Sequence, residues 1–171
     1  MKSALVVTFL AVSAFAQAQS AGLPAACGPR KITFDVTLSD SQQTLAQLEP
    51  GRARVYFIQD NGSWSDYQHF TLKIGLDGAW VGAYIENSYF ALSVEPGEHH
   101  VCANVQSNSS VGHLLALAHF TAEPGKAYYF RTRFLDGPSW RSPYVDLDPV
   151  DSDQAKYMID SFPLSLSHPR P

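Results

Sequence analysis

A chain of 171 residues, 45% hydrophobic and 16% charged, has enough material for one domain with a core and is too apolar to be disordered by composition. Its formal net charge is −4 and no Lys/Arg cluster occurs anywhere, which excludes the electrostatic footprint of a nucleic-acid binder. No segment past the N-terminus is apolar enough to cross a membrane.

The first eighteen residues read as a cleaved secretory signal. Lys2 is followed by an apolar run from Ala4 to Phe15, and Ala16-Gln17-Ala18 supplies the small residues a signal peptidase requires. Cleavage after Ala18 starts the mature chain at Gln19, and the loss of Lys2 leaves 11 basic of the original 12 against 16 acidic side chains. A lipid-modified Cys27 is disfavoured, because Pro24 occupies the place of the usual leucine-like residue and the apolar run ended well before it. The chain is therefore expected to be exported, to the periplasm or beyond. In that oxidising setting the two cysteines, Cys27 and Cys102, are expected to pair, tying a leader segment (19–30) to the body of the domain.

From residue 31 to 148 the sequence falls into short runs that alternate apolar and polar residues. "KITFDVTL" places Ile32, Phe34, Val36 and Leu38 together, and "ARVYFIQ" is dense in β-branched and aromatic residues. "FTLKIGL" puts Leu72, Ile74 and Leu76 on one face. Asp77-Gly78 is a strong signal for a hairpin, since a type I′ turn needs positive φ at both central positions. "AWVGAYI" returns from it with Val81, Ala83 and Ile85 as one set and Trp80 and Tyr84 as the other. "SYFALSV", "HHVCANV", "LLALAHFTA" and "KAYYFRTRFL" continue the series, separated by Pro96-Gly97, a polar loop and Pro124-Gly125.

The fold class expected is all-β: an antiparallel β-sandwich of seven to nine strands, Ig-like or transthyretin-like in build. One C-terminal α-helix is expected within 149–162, where Ala155, Met158, Ile159 and Phe162 form a helical stripe, Asp151 or Ser152 caps the start and Pro163 stops it. Residues 163–171 read as a loosely attached tail.

Several runs together carry a resemblance. "GRARVYFIQ", "KIGLDGAWVGAYIENSYFALSVEPGEHHVCANV", "AHFTAEPGKAYYFRTRF" and "VDLDPVDSDQAKYMIDSFPLS" resemble the bacterial family named domain of unknown function 2846, over roughly residues 48 to 165. The middle is also similar to small extracellular modules named for a Pro-Glu-Gly-Ala motif. Both resemblances imply an exported envelope protein of β fold, and neither brings a catalytic residue.

The chemistry-bearing residues sort into three groups. His100 and Cys102 share a strand face, while His99 points the other way, so a metal site would take His100 and Cys102 with a further ligand from His113 or His119. That use competes with a disulfide for Cys102. The acidic pairs Glu95/Glu98 and Asp146/Asp148 flank a turn and a helix start, where solvated or capping carboxylates are the ordinary expectation, and no nucleophile elbow or H-E-x-x-H is present. The aromatics Trp64, Tyr67, Trp80, Tyr84, Tyr89 and Trp140 lie either under the helix and a long loop or on an exposed platform for a sugar or a peptide.

The reading is a non-enzymatic exported envelope module that binds a partner protein or a cell-wall glycan without a cofactor. Its candidate binding residues are Trp80, Tyr84, Trp64, Arg131 and Arg133. The alternative is a periplasmic metal-binding protein using the His/Cys set around 99–119.

Overall fold

The alternating runs form strands because β-branched and aromatic residues at every second position can line one face of a pleated sheet. A computed structural model describes residues 23–39, 49–61, 70–107, 114–135 and 143–170. The signal segment and Trp64, Tyr67, His113 and Trp140 lie outside the described residues. In chain order the elements are β1 (Thr33–Ser39), β2 (Ala53–Gln59), β3 (Leu72–Leu76), β4 (Ala79–Tyr84) and β5 (Ser88–Val94). Then follow β6 (Gly97–Val105), β7 (Leu115–Ala122), β8 (Ala127–Leu135), β9 (Tyr144–Pro149), α1 (Ser152–Ser161) and β10 (Leu164–Arg170).

The strands make two sheets, a six-stranded one in the order β1-β10-β5-β2-β8-β9 and a four-stranded one in the order β4-β3-β6-β7. Most neighbours are antiparallel, but β2 pairs with β8 in parallel, and β10 meets β5 in parallel at Leu164 and Tyr89. The sheets bury a common core in which Phe57 stacks on Phe90 and Phe130 at 5.3 and 5.7 Å. Phe120 leans on Tyr128 and Phe130 from the smaller sheet. The Asp77-Gly78 turn has positive φ at both residues (52° and 90°), as the hairpin type demands.

α1 covers the outer face of the larger sheet. Asp151 caps its first turn, accepting from the backbone N–H groups of Asp153 and Gln154. Ala155 and Met158 are buried against Ile58, Tyr89 and Leu164, so the apolar stripe forms a second, smaller core outside the sandwich.

The segment 163–171, expected as a tail, is a correction: Leu164–Arg170 is strand β10, inserted between β1 and β5. It pairs with β1 over seven residues, from Thr33 opposite Arg170 to Ser39 opposite Leu164. The described chain thus holds ten strands, more than the seven to nine expected, because its two ends supply paired strands of one sheet. "LSLSHPR" alternates only weakly, and its Pro169 is accommodated near a strand end.

The leader is clamped across the outer face of the smaller sheet. Cys27 forms a disulfide with Cys102 on β6, at a sequence separation of 75. In the chain-entropy model closing such a loop stabilises by about 4 kcal/mol. Gly75 on β3 is where the leader passes: a Cβ there would lie 2.7 Å from the Ala26 carbonyl oxygen and 2.9 Å from Cys27 Cα. Those neighbours are backbone and cannot swing aside. The Gly78 N–H donates to the Ala26 carbonyl at 3.2 Å, and the Lys73 ammonium reaches the Ile32 carbonyl at 3.0 Å.

Truncation after Phe162 tests the role of β10. The loss of Leu164 packing and of the β1 ladder is expected to cost at least about 3 kcal/mol and to lower the midpoint of thermal unfolding followed by circular dichroism. An unchanged midpoint would mean that the last residues are an appendage.

Candidate binding site

Trp80 and Tyr84 do not share a face. The pairing register of β3 and β4 shifts between Ile74, opposite Gly82, and Gly75, opposite Trp80, which leaves Val81 without a partner. A bulge of this kind reverses the alternation of faces beyond it. Trp80 and Tyr84 therefore lie on opposite sides of the sheet.

Tyr84 is fully buried in the core and hydrogen-bonds Thr132 at 2.8 Å, and burial pushes its phenol pKa strongly upward. Trp80 packs on Gly28 of the leader, and its indole N–H donates to the Pro29 carbonyl at 2.8 Å. The Lys73 ammonium sits 4.2 Å from the Trp80 ring centroid. Burial, and after it the charge of Arg30, lowers the Lys73 amine below its usual range.

Arg131 and Arg133 lie on the far sheet, away from Trp80. Arg133 binds both Asp146 (2.9 Å) and Asp148 (3.1 Å) on the neighbouring strand β9. The hydrogen bond between these two carboxyls, with some burial, raises Asp148 despite the guanidinium. Arg131 lies 3.8 Å from Asp60. Both arginines act as ties across the sheet surface.

The metal set is divided as well. Cys102 is consumed by the disulfide and buried beneath the leader, so it offers no thiolate. His100 and His119 face each other across β6 and β7, ring centroids 6.3 Å apart and exposed. His113 falls outside the described residues. No group of three or more His, Cys, Asp or Glu suited to a metal occurs among the described residues.

His99 points into the end of the sandwich and stacks near Phe120 at 5.3 Å. Its Nδ1 meets the Asp77 carboxylate at 2.6 Å and its Nε2 meets the Glu95 carbonyl at 2.8 Å. Both partners only accept, so the doubly protonated ring satisfies them together. Burial pulls the His99 pKa down, but the Glu95 carbonyl and Asp77 outweigh it, and the net shift is upward. Burial pushes Asp77 up, and the His100 N–H together with the His99 ring outweighs it, so Asp77 is held below its ordinary value.

Beside Phe120 a cleft of about 300 Å³ opens between β7, the start of β8 and the turn from β9 into α1. His119, Phe120, Tyr128, Tyr129, Pro149 and Val150 line it. It arises because β9 ends at Pro149 opposite Phe130, so β8 from Ala127 to Tyr129 extends past its neighbour. At that size, with aromatic walls, it suits one large side chain or one small ring.

β7 forms the rim of this cleft and the outer edge of the smaller sheet. The Val105 N–H donates to the Leu114 carbonyl, and the Asp77 N–H to the His100 carbonyl on the other side of β6. In an antiparallel ladder this fixes the phase: even-numbered residues of β7 bond to β6, and Leu115, Leu117, His119 and Thr121 turn their N–H and C=O groups outward. Leu117 is 52% exposed. The sequence contained this signal, because "LALAHFTA" is a strand with no charge and no proline, and the topology then makes it an edge.

A family model described as "Protein of unknown function (DUF2846)" matches residues 49–143. No curated protein and no solved structure matches the chain.

The His99–Asp77 pair gives a signed pH dependence. The raised His99 adds stability that is complete below its unfolded value of 6.5 and is lost as pH rises through its folded pKa. The lowered Asp77 adds stability that is present above 3.8 and is lost as pH falls through its folded pKa. Replacing His99 by Gln should therefore destabilise more at pH 6 than at pH 9 in urea unfolding. An equal loss at both values would show that the ring is uncharged in the folded protein.

Proposed function

The chain belongs to the DUF2846 family, and we propose that it is an exported, non-catalytic β-sandwich module that binds a partner protein of the cell envelope. The observation that carries this reading is the aromatic cleft lying against the edge of β7, whose outward backbone groups have no backbone partner among the described residues. A cleft of one side chain's volume is an anchor pocket, and protein interfaces are organised around such anchors. Of the carboxylates that sequence alone offers for catalysis, Asp146 and Asp148 are tied to Arg133 and Glu95 to Arg52, while Glu98 is about two-thirds exposed.

Export is supported by the N-terminal signal pattern and by the disulfide, which needs an oxidising compartment to persist. No helix among the described residues is long and apolar enough to cross a membrane. A glycan finds less support, since Trp80 is covered by the leader and Tyr84 is buried. Metal binding through Cys102 is incompatible with the disulfide.

The test is photo-crosslinking in intact cells of the native host. A benzoyl-phenylalanine placed at Leu117 is expected to give a discrete adduct with a second envelope protein. The same group at Tyr157, 75% exposed on α1, is expected to give none. Equal adducts at both positions, or recovery of the chain in the cytoplasm with both thiols free, would refute the reading.

A further inference from the structure

We propose that β7 recognises its partner by strand addition: an extended, apolar segment with a basic residue at one end pairs along Leu115–Thr121 and seats one side chain in the cleft. This rests on the binding reading above and names the chemistry of the partner.

The four sheet edges carry the argument. β1 is closed at Phe34, whose N–H donates to Gln106 Oε1 (2.7 Å) and whose carbonyl accepts from Gln106 Nε2 (2.9 Å), so one side chain replaces a neighbouring strand. β4 has its Ala83 N–H satisfied by the Ser167 hydroxyl at 3.1 Å. β9 carries Asp146, Asp148 and Pro149, the residue types that discourage pairing with another chain. β9 of the larger sheet runs close beside β7, but β7 itself carries none of these guards and makes no backbone pairing with β9. Its eight residues include no charge and no proline, and among the described residues no backbone group outside β6 pairs with Leu115, Leu117, His119 or Thr121.

A row of donors and acceptors at strand spacing, without backbone partners among the described residues, is complementary to an extended backbone. The cleft is continuous with that row at Ala118–Phe120, so a chain lying along β7 passes over its mouth. Charge sets the direction of the bias. Glu98, opposite Thr121, is about two-thirds exposed, and Glu123 follows the strand's last residue. A lysine or arginine at that end of the incoming segment meets both carboxylates, and a like-charged segment is disfavoured. A second copy of β7 supplies no such cation, which favours a different chain as occupant.

The probe is a synthetic octapeptide of alternating leucine and threonine whose first two residues are lysine, titrated into the full mature protein. Binding is expected to slow amide exchange at Leu117 and His119 while leaving Ala116 and Ala118, already bonded to β6, unchanged. Methylating alternate peptide nitrogens should weaken binding at least tenfold, since only the backbone bonds are lost. Leu117→Pro removes an outward N–H without breaking a bond to β6, and Leu117→Lys adds a guard charge; each should weaken binding at least fivefold. If the N-methylated peptide binds equally well, strand addition is wrong, and a surviving Leu117 crosslink shows that the binding reading still holds. If the peptide fails to bind because the wild-type chain is a dimer that Leu117→Lys dissociates, the edge is occupied by a second copy and the proposal is overturned.

Discussion

The disulfide between Cys27 and Cys102 determines what the smaller sheet can present to its surroundings. It lays the leader across β3, β4 and β6, and the leader then takes up the polar and aromatic groups that would otherwise face water. Lys73 is only 4% exposed, its amine ending on the Ile32 carbonyl and over the Trp80 ring. Gly75 is the residue that permits this, since any side chain there would push the leader off the sheet. With that part of the face covered, the smaller sheet still exposes His100, Leu117 and His119 along β6 and β7.

The other closures are made by side chains and by the far end of the chain. β10 fills the gap between β1 and β5 and sends Ser167 across to β4, while Gln106 reaches from the end of β6 to Phe34. Each device removes free backbone groups from a sheet rim. β7 differs in that its outward backbone groups have no backbone partner among the described residues and sit beside an aromatic cleft. The Tyr84–Thr132 pair lies inside this frame, in a polar layer with Gln59, which sits opposite Thr132 and is fully buried.

Much of this was legible in the sequence, and the reasons are local. Alternation in "HHVCANV" correctly divided Val101, Ala103 and Val105 from His100, Cys102 and Asn104. Asp77-Gly78 specified its own turn, and the stripe of Ala155, Met158 and Ile159 with Asp151 ahead of it specified α1. With two cysteines, one pairing was available. What sequence could not give was set by partners distant along the chain. The bulge at Val81 depends on how β3 meets β4, and one extra residue moved Tyr84 from the outer face to the core. "LSLSHPR" carries too weak a pattern to be recognised as a strand, and it becomes one because β1 and β5 leave a slot for it. The uncharged, proline-free composition of β7 was legible, but its place at an edge was not, since a strand is an edge only by topology.

The leader's grip over the smaller sheet is the central constraint, and Lys73 reports on it directly. Acylation of native protein followed by peptide mass mapping should leave Lys73 unmodified while exposed Lys126 and Lys156 react. After reduction of the disulfide under native conditions, Lys73 should become reactive as the leader lifts from Trp80. A Lys73 that reacts readily in the oxidised protein would contradict the account, because the face it occupies would then be open.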